Sequence, residues 1–154
     1  MRAARTVAGS TAIITAALGL GLATASPAAA VEGNWRAYGN TNPITSSSST
    51  WRCADSRVIA TNVSAQVCAI RSSGGGSVQG AVIVRNNRSS LYSVQAWMDL
   101  NNSSAGGLGF WTCSSSGVGA NSWSVCFGRT ISFSGSVTSV GTANNEPLNM
   151  SPAV

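Results

Sequence analysis

The chain has 154 residues, with nine arginines, four acidic residues, no lysine and no histidine, and its formal net charge at pH 7 is +5. General acid–base catalysis most often uses histidine, so a serine triad of the usual kind is excluded. The charges form no cluster of basic residues, and nucleic acid is therefore not expected as a partner.

The first thirty residues have the layout of a secretory signal peptide. Arg2 and Arg5 give a positive start, an apolar stretch follows at 7–22, and residues 28–30 are alanines that a signal peptidase accepts. Cleavage between Ala30 and Val31 is predicted, with secretion into an oxidising extracellular environment. The alternative is a retained membrane anchor. The segment is rich in Ala, Gly and Thr rather than Leu and Ile, and Pro27 interrupts it, which argues against an anchor. No second apolar stretch is long enough to span a membrane, so no membrane contact is expected after the signal peptide is cleaved.

Residues 31–50 are expected to form an extended N-terminal arm outside the folded domain. Pro43 and the serine run at 46–49 argue against regular structure there. Trp35 and Tyr38 could still pin the arm to the domain.

From Trp51 onward, apolar and polar residues alternate with the period of a β-strand, and no segment shows a convincing helical period. Strands are predicted at 51–58, 63–72, 78–86, 91–100, 110–114 and 122–129, with one or two closing strands at 131–133 and 137–142. The strands at 110–114 and 122–129 are expected to pair with each other.

About seven short strands with regular turn signals predict an all-β fold. The expected architecture is an antiparallel β-sandwich, immunoglobulin-like in its layers, over residues 51–143. Residues 144–154, with Pro147 and Pro152, are expected to be an irregular C-terminal tail.

The strand at 91–100 has the most regular alternation in the chain. One face is predicted to enter the core, and it carries Tyr92, Val94, Ala96, Met98 and Leu100. Trp97 then falls on the other, polar face.

The four cysteines, Cys53, Cys68, Cys113 and Cys126, are an even number in a chain expected to be exported, which indicates disulfides. Their spacing does not match a zinc knuckle, and no histidine could complete a metal site. Four cysteines allow three connectivities. The local pairing Cys53–Cys68 and Cys113–Cys126 is favoured because each pair brackets one turn region.

Three short motifs carry a resemblance to known proteins: Trp51-Arg52-Cys53, the strand Val82-Ile83-Val84-Arg85-Asn86, and the W-x-x-C from Trp123 to Cys126. Together with the export signal, they resemble small, uncharacterised, secreted two-disulfide proteins of actinobacteria. The alanine-rich leader and the use of arginine without lysine resemble proteins from a high-GC genome. The resemblance covers most of the chain after residue 30, but it implies no functional residue.

The sequence offers few groups for catalysis. Asp55 and Asp99 are the only acids in the strand region, and a carboxylate pair could hydrolyse glycosides, but a turn position and a strand end explain them more simply. No glycine-rich run has the form of a phosphate loop. We therefore expect no catalytic residue, no metal, no cofactor and no enzyme activity.

The tryptophans are the best indication of binding. An outward Trp97 could be a platform for a sugar or a partner, because its large ring gives contact area at low entropic cost. The alternative is that Trp97 lies under other parts of the fold. Trp111 and Trp123 are expected to pack against the second disulfide.

Three functions are compatible with these features. The favoured one is a secreted, non-catalytic binding or surface-associated protein, with cell-envelope polysaccharide or an extracellular protein as possible ligands. The second is an effector such as a protease inhibitor or a bacteriocin-like protein, for which the segment 114–125 is the candidate inhibitory loop. A carboxylate hydrolase ranks last.

Overall fold

The computed structural model describes residues 31–102, 104 and 106–154. The predicted signal peptide, including Ala30 at its cleavage point, lies outside the described residues. The part that is described contains no helix long and apolar enough to cross a membrane.

The described residues form twelve strands, several of them very short. In chain order they are β1 (Val31–Glu32), β2 (Asn34–Gly39), β3 (Thr50–Cys53), β4 (Arg57–Ala60), β5 (Val63–Arg71), β6 (Ser77–Asn86), β7 (Tyr92–Asn102), β8 (Gly106–Val118), β9 (Ser122–Phe127), β10 (Ile131–Ser132), β11 (Val137–Ala143) and β12 (Glu146–Leu148).

The strands build two sheets that pack face to face. The five-stranded sheet has the order β1-β8-β7-β11-β12, and the seven-stranded sheet has the order β2-β9-β6-β5-β3, with β10 paired to β6 and β4 paired to β5. The short β1 runs parallel to β8, while the long central pairs are antiparallel. The all-β sandwich expected from the sequence is confirmed, with more strands than the seven that were predicted.

The extended arm predicted at 31–50, without regular structure, instead forms two strands within its first nine residues. β1 pairs with β8 of one sheet and β2 pairs with β9 of the other, so the segment crosses between the two sheets. At the crossing point, a Cβ on Gly33 would lie 2.8 Å from the Phe127 carbonyl oxygen and 2.9 Å from Cys113 Sγ, which leaves no room for a side chain. Sheet edges carry unpaired backbone groups, and this segment satisfies those of β8 and β9.

The predicted irregular tail is likewise wrong at its start. Asn144 and Asn145 have φ angles of 49° and 66° and join β11 to β12 in a two-residue hairpin. Positive φ at both positions is typical of a type I′ turn, for which asparagine is one of the preferred residues. The tail therefore begins with an edge strand of the five-stranded sheet.

The main core lies between the two sheets. Val94, Ala96, Met98 and Leu100 of β7 are buried in it, as the alternation predicted, while Tyr92 is half-buried at its border. Met98 reaches across to the other sheet, where a Cβ on Gly80 would lie only 3.2 Å from its Cγ. The long methionine side chain thus fills the space that this glycine leaves.

A second apolar layer covers the outer face of the seven-stranded sheet. Ile70, Ile83 and Val125 are buried there, on the side of the sheet opposite to the main core. Residues 40–49 are irregular, as expected, and they contribute Ile44 to this layer, next to Tyr38 and several aromatic residues, Trp51, Trp123 and Phe127. Part of the predicted arm thus covers this sheet.

Both predicted disulfides are present. Cys53 and Cys68 are register partners on β3 and β5, so this bridge lies within the seven-stranded sheet. Cys113 is on β8 and Cys126 is on β9, so the second bridge joins the two sheets. The expected pairing of 110–114 with 122–129 is therefore wrong, because the chain changes sheets between these strands.

Arg71 closes one end of the sandwich. Its guanidinium donates hydrogen bonds to the carbonyl oxygens of Gly75 (2.9 Å), Phe133 (3.1 Å) and Val154 (2.9 Å), and also to that of Gly135. Arginine presents several donors in a fixed plane, so one side chain ties three separate segments together.

We predict that Met98→Asp lowers the free energy of unfolding by at least about 3 kcal/mol, because it places an unpaired charge in the main core and removes a buried side chain. Ser93→Asp, at an exposed position of the same strand, should change it by less than about 0.5 kcal/mol. Urea unfolding followed by tryptophan fluorescence measures both. Equal effects of the two substitutions would contradict the assignment of the β7 faces.

Candidate functional site

Trp97 lies in the middle strand of the five-stranded sheet, on the face that points away from the core. Its register partners are Thr112 on β8 and Thr142 on β11. These small neighbours leave the indole half-exposed between them. The N-terminal segment does not cover it, because β1 pairs at the far side of β8 and β2 belongs to the other sheet.

Phe110 forms an aromatic pair with Trp97. The two ring centroids are 5.5 Å apart with an interplanar angle of 42°, and 39% of Phe110 is exposed. Phe110 was not among the predicted binding residues, because the predicted strand began only at residue 110, whereas β8 begins at Gly106. The signal was present, since Phe110 alternates with Trp111, which is 3% exposed and buried in the core.

A groove of about 320 Å³ runs beside the indole. Its side chains are uncharged and mostly polar: Gln95, Thr112, Ser114, Thr142 and Asn145, with Trp97 itself. Hydroxyl and amide groups both donate and accept hydrogen bonds. The groove therefore combines one aromatic surface with several groups that could bond to the hydroxyls of a ligand.

Asn144 holds one wall of this groove in place. Its Oδ1 accepts a hydrogen bond from the backbone N–H of Gln95 at 3.0 Å. Its Nδ2 donates to Tyr92 Oη at 3.0 Å and to the Ser93 carbonyl oxygen at 3.1 Å. The β11–β12 turn is thereby fixed to β7. Such support keeps groove residues close to one geometry before a ligand arrives.

The charge on this sheet is negative. Two acids lie on its outer face, Glu32 as register partner of Thr112 and Asp99 as that of Phe110, whereas the arginines of the described residues lie on the other sheet or in connecting segments. An anionic ligand would be repelled by this face. The face therefore suits a neutral ligand.

The two acids considered for catalysis lie on different layers. Asp99 is on β7 of the five-stranded sheet, while Asp55 lies between β3 and β4 at an edge of the seven-stranded sheet. Within the described ranges, no group of three or more His, Cys, Asp or Glu residues could hold a metal ion.

The segment 114–125, considered as an inhibitory loop, is mostly strand. β8 continues to Val118 and β9 begins at Ser122, so only three residues connect them. The structure therefore provides no long exposed loop at this position.

The other two tryptophans near the second bridge have separate roles. Trp111 packs in the main core, where a Cβ on Gly128 would lie 2.6 Å from its ring. Trp123 belongs to the outer layer of the seven-stranded sheet, while Cys126 is in the main core, so Trp123 and the bridge lie on opposite faces. The expectation that Trp123 packs against the second disulfide is wrong.

Comparisons with protein-family profiles and with curated proteins find no match. The resemblance to secreted actinobacterial proteins therefore stays a prediction, and the site must be judged on its own chemistry.

We predict that Trp97→Ala lowers the free energy of unfolding by at most about 2 kcal/mol, because the half-exposed indole contributes little to the core. Trp111→Ala, on the core side of the neighbouring strand β8, should cost about 3–5 kcal/mol, since it empties a core position. Thermal and urea unfolding of the two variants provide the measurement. A larger loss in Trp97→Ala than in Trp111→Ala would show that Trp97 is a structural residue.

Proposed function

We propose that this protein is a secreted, non-catalytic binding protein whose ligand is a neutral polysaccharide of the cell envelope. The ligand is bound on the outer face of the five-stranded sheet. The observation that carries the proposal is the aromatic pair of the half-buried Trp97 and the exposed Phe110 beside a groove with uncharged, mainly polar side chains.

The chemistry of the face supports a sugar as the ligand. A sugar ring has an apolar side, which packs on an aromatic ring, and a rim of hydroxyls, which need donors and acceptors. Trp97 and Phe110 provide the first, and Thr112, Gln95 and Asn145 provide the second. A groove of about 320 Å³ is at the small end of ligand pockets, which suits one or two sugar units of a longer chain.

The rigidity of the scaffold supports the same proposal. β7 and β8 are the longest strands, and the inter-sheet disulfide anchors β8 close to the groove. Aromatic and polar groups on a strand lose little entropy when they bind, because the sheet already holds them. This arrangement suits a site that binds its ligand without breaking a bond in it.

Secretion is a part of the proposal that can be tested separately. The intact mass of the protein from the culture supernatant should correspond to a chain that begins at Val31 with two disulfides. The signal-peptide layout and the two bridges support this expectation. A dominant species that retains residues 1–30 would contradict it.

The binding proposal predicts depletion of the protein from solution by insoluble polysaccharide. The oxidised protein is mixed with cellulose, chitin or purified cell-wall glycan, and the unbound fraction is measured. At least one of these should retain it, and Trp97→Ala should weaken retention at least about tenfold, or about 1.4 kcal/mol. Phe110→Ala should act in the same direction with a smaller effect.

Two variants serve as controls for this experiment. Trp97→Phe keeps an aromatic surface and should recover part of the retention. Val58→Ala removes an exposed apolar side chain from the other sheet and should leave retention unchanged. Equal retention of Trp97→Ala and the unaltered protein on every glycan would refute the assignment of the face.

A further inference from the structure

The opposite sheet presents a cationic counterpart to the acidic face. Five arginines lie on its strands, Arg36, Arg52, Arg57, Arg71 and Arg85. Arg71 is occupied by the backbone carbonyls described above. Arg36 also lines pockets, but Arg85 combines a pocket with several hydrogen bonds that hold its guanidinium in position.

Arg85 lies near the end of β6, on the outer face of the seven-stranded sheet, opposite Trp123 in the register. Its guanidinium carbon is 5.2 Å from the centroid of a Trp123 ring. Its Nε donates to Asn87 Oδ1 at 2.6 Å, and its Nη1 donates to Asn40 Oδ1 and to the Asn121 carbonyl oxygen, both at 2.9 Å. The group is therefore fixed in orientation before any ligand binds.

These partners leave the charge of Arg85 uncompensated. All three acceptors are neutral amide or peptide oxygens, so the guanidinium keeps its full positive charge. Among residues 31–102, 104 and 106–154, no acceptor is bound to Nη2, which remains as a donor. Nη2 carries two N–H groups, so the fixed guanidinium can still donate a charge-assisted hydrogen bond to a carboxylate through this one nitrogen.

A pocket of about 240 Å³ adjoins this group. Its lining is mostly polar, with Arg85 and Trp123 at one side and two apolar residues, and it comprises Asn42, Ser56, Ser64, Ala65, Gln66, Ile83, Arg85 and Trp123. The volume is below the usual range for drug-sized ligands and corresponds to a single small ring. The lining therefore offers a cation, an indole and four neutral polar side chains, with Ala65 and Ile83 between them, around a space of that size.

We infer that this pocket is a second saccharide site, which binds a sugar unit that carries a carboxylate, such as a hexuronate in an acidic glycan. Arg85 binds the carboxylate, and the hydroxyl and amide groups of Ser56, Ser64 and Gln66 bind the ring hydroxyls. A peptide C-terminus has the same carboxylate, but the neutral polar residues of the lining outnumber Ala65 and Ile83, which favours a ligand with several hydroxyls, so the sugar is favoured.

This site and the Trp97 face lie on opposite sheets and have opposite charge. One protein could thus hold a neutral and an acidic glycan at the same time. The inference does not depend on the proposed function, since the two sites share no residue. If the protein binds trigalacturonate but no neutral glycan, only the proposed function fails. If it binds a neutral glycan but not trigalacturonate, only this inference fails.

Isothermal titration calorimetry with trigalacturonate at low ionic strength tests the inference. The unaltered protein should bind it saturably, and the neutral galactose trisaccharide should bind at least about tenfold more weakly. Arg85→Gln should weaken trigalacturonate binding at least about tenfold, and Trp97→Ala should leave it unchanged. Arg129→Gln is the matched control, because it removes the same charge from an exposed position beyond the other end of β9.

Gln66→Glu is a second variant, which tests the same pocket while Arg85 and its hydrogen bonds stay in place. The added carboxylate lines the same pocket, and repulsion should abolish trigalacturonate binding. Near-ultraviolet circular dichroism verifies that each variant is folded.

Four results would overturn the inference. They are an equal loss in Arg129→Gln, equal binding of the neutral trisaccharide, tighter binding of an acetylated tripeptide with a free carboxylate, and no saturable binding of trigalacturonate.

Discussion

The disulfide between Cys113 and Cys126 is the constraint on which the arrangement of the two sheets depends. It joins β8 to β9 across the main core, and only three residues connect these strands along the chain. Gly33 passes directly beside it, so the crossing of the N-terminal segment is fixed by the same bridge. Closing a loop of this length contributes roughly 3 kcal/mol in the chain-entropy model, a large share of the stability of a small domain.

Because the two sheets pack face to face, their outer faces point in opposite directions, and these faces differ in polarity and charge. The face of the five-stranded sheet is polar and acidic, with Phe110 exposed and Trp97 half-buried. The face of the other sheet has an apolar layer, to which residues 40–49 contribute Ile44, and a pocket beside Arg85 that strands β5 and β6 help to line. The same separation of charge that makes one face suit neutral ligands makes the other attract anions.

Neutral polar side chains take over tasks that charged residues perform in many proteins. Asn86 is fully buried, and its Nδ2 donates to the carbonyl oxygens of Ser90, Val118 and Gly119, which ties the end of β6 to the end of β8. Ser139 is also fully buried, and its Oγ donates to the Asp99 carbonyl oxygen. Satisfied amides and hydroxyls carry a smaller desolvation cost than ion pairs, which fits a chain with so few charges.

The sequence by itself determined the features that depend on near neighbours in the chain. The alternation of β7 placed Met98 in the core and Trp97 outside it, and cysteine spacing led to the two disulfides. The type I′ turn at Asn144 and Asn145 was also local, but its signal was overlooked among the prolines that follow. Strand period and turn chemistry are properties of a few consecutive residues, which is why a sequence can show them.

Only the tertiary structure decided which strands share a sheet. Nothing in the spacing of Cys113 and Cys126 distinguishes a bridge within a hairpin from a bridge between sheets. Likewise, β1 pairs with β8 and β2 pairs with β9, and these partner strands are formed by residues distant in the sequence. The two candidate sites depend on the same long-range choices. Phe110 meets Trp97, and Arg85 meets Asn40 and Trp123, because of strand register, and register is set by burial of the whole face rather than by any short motif.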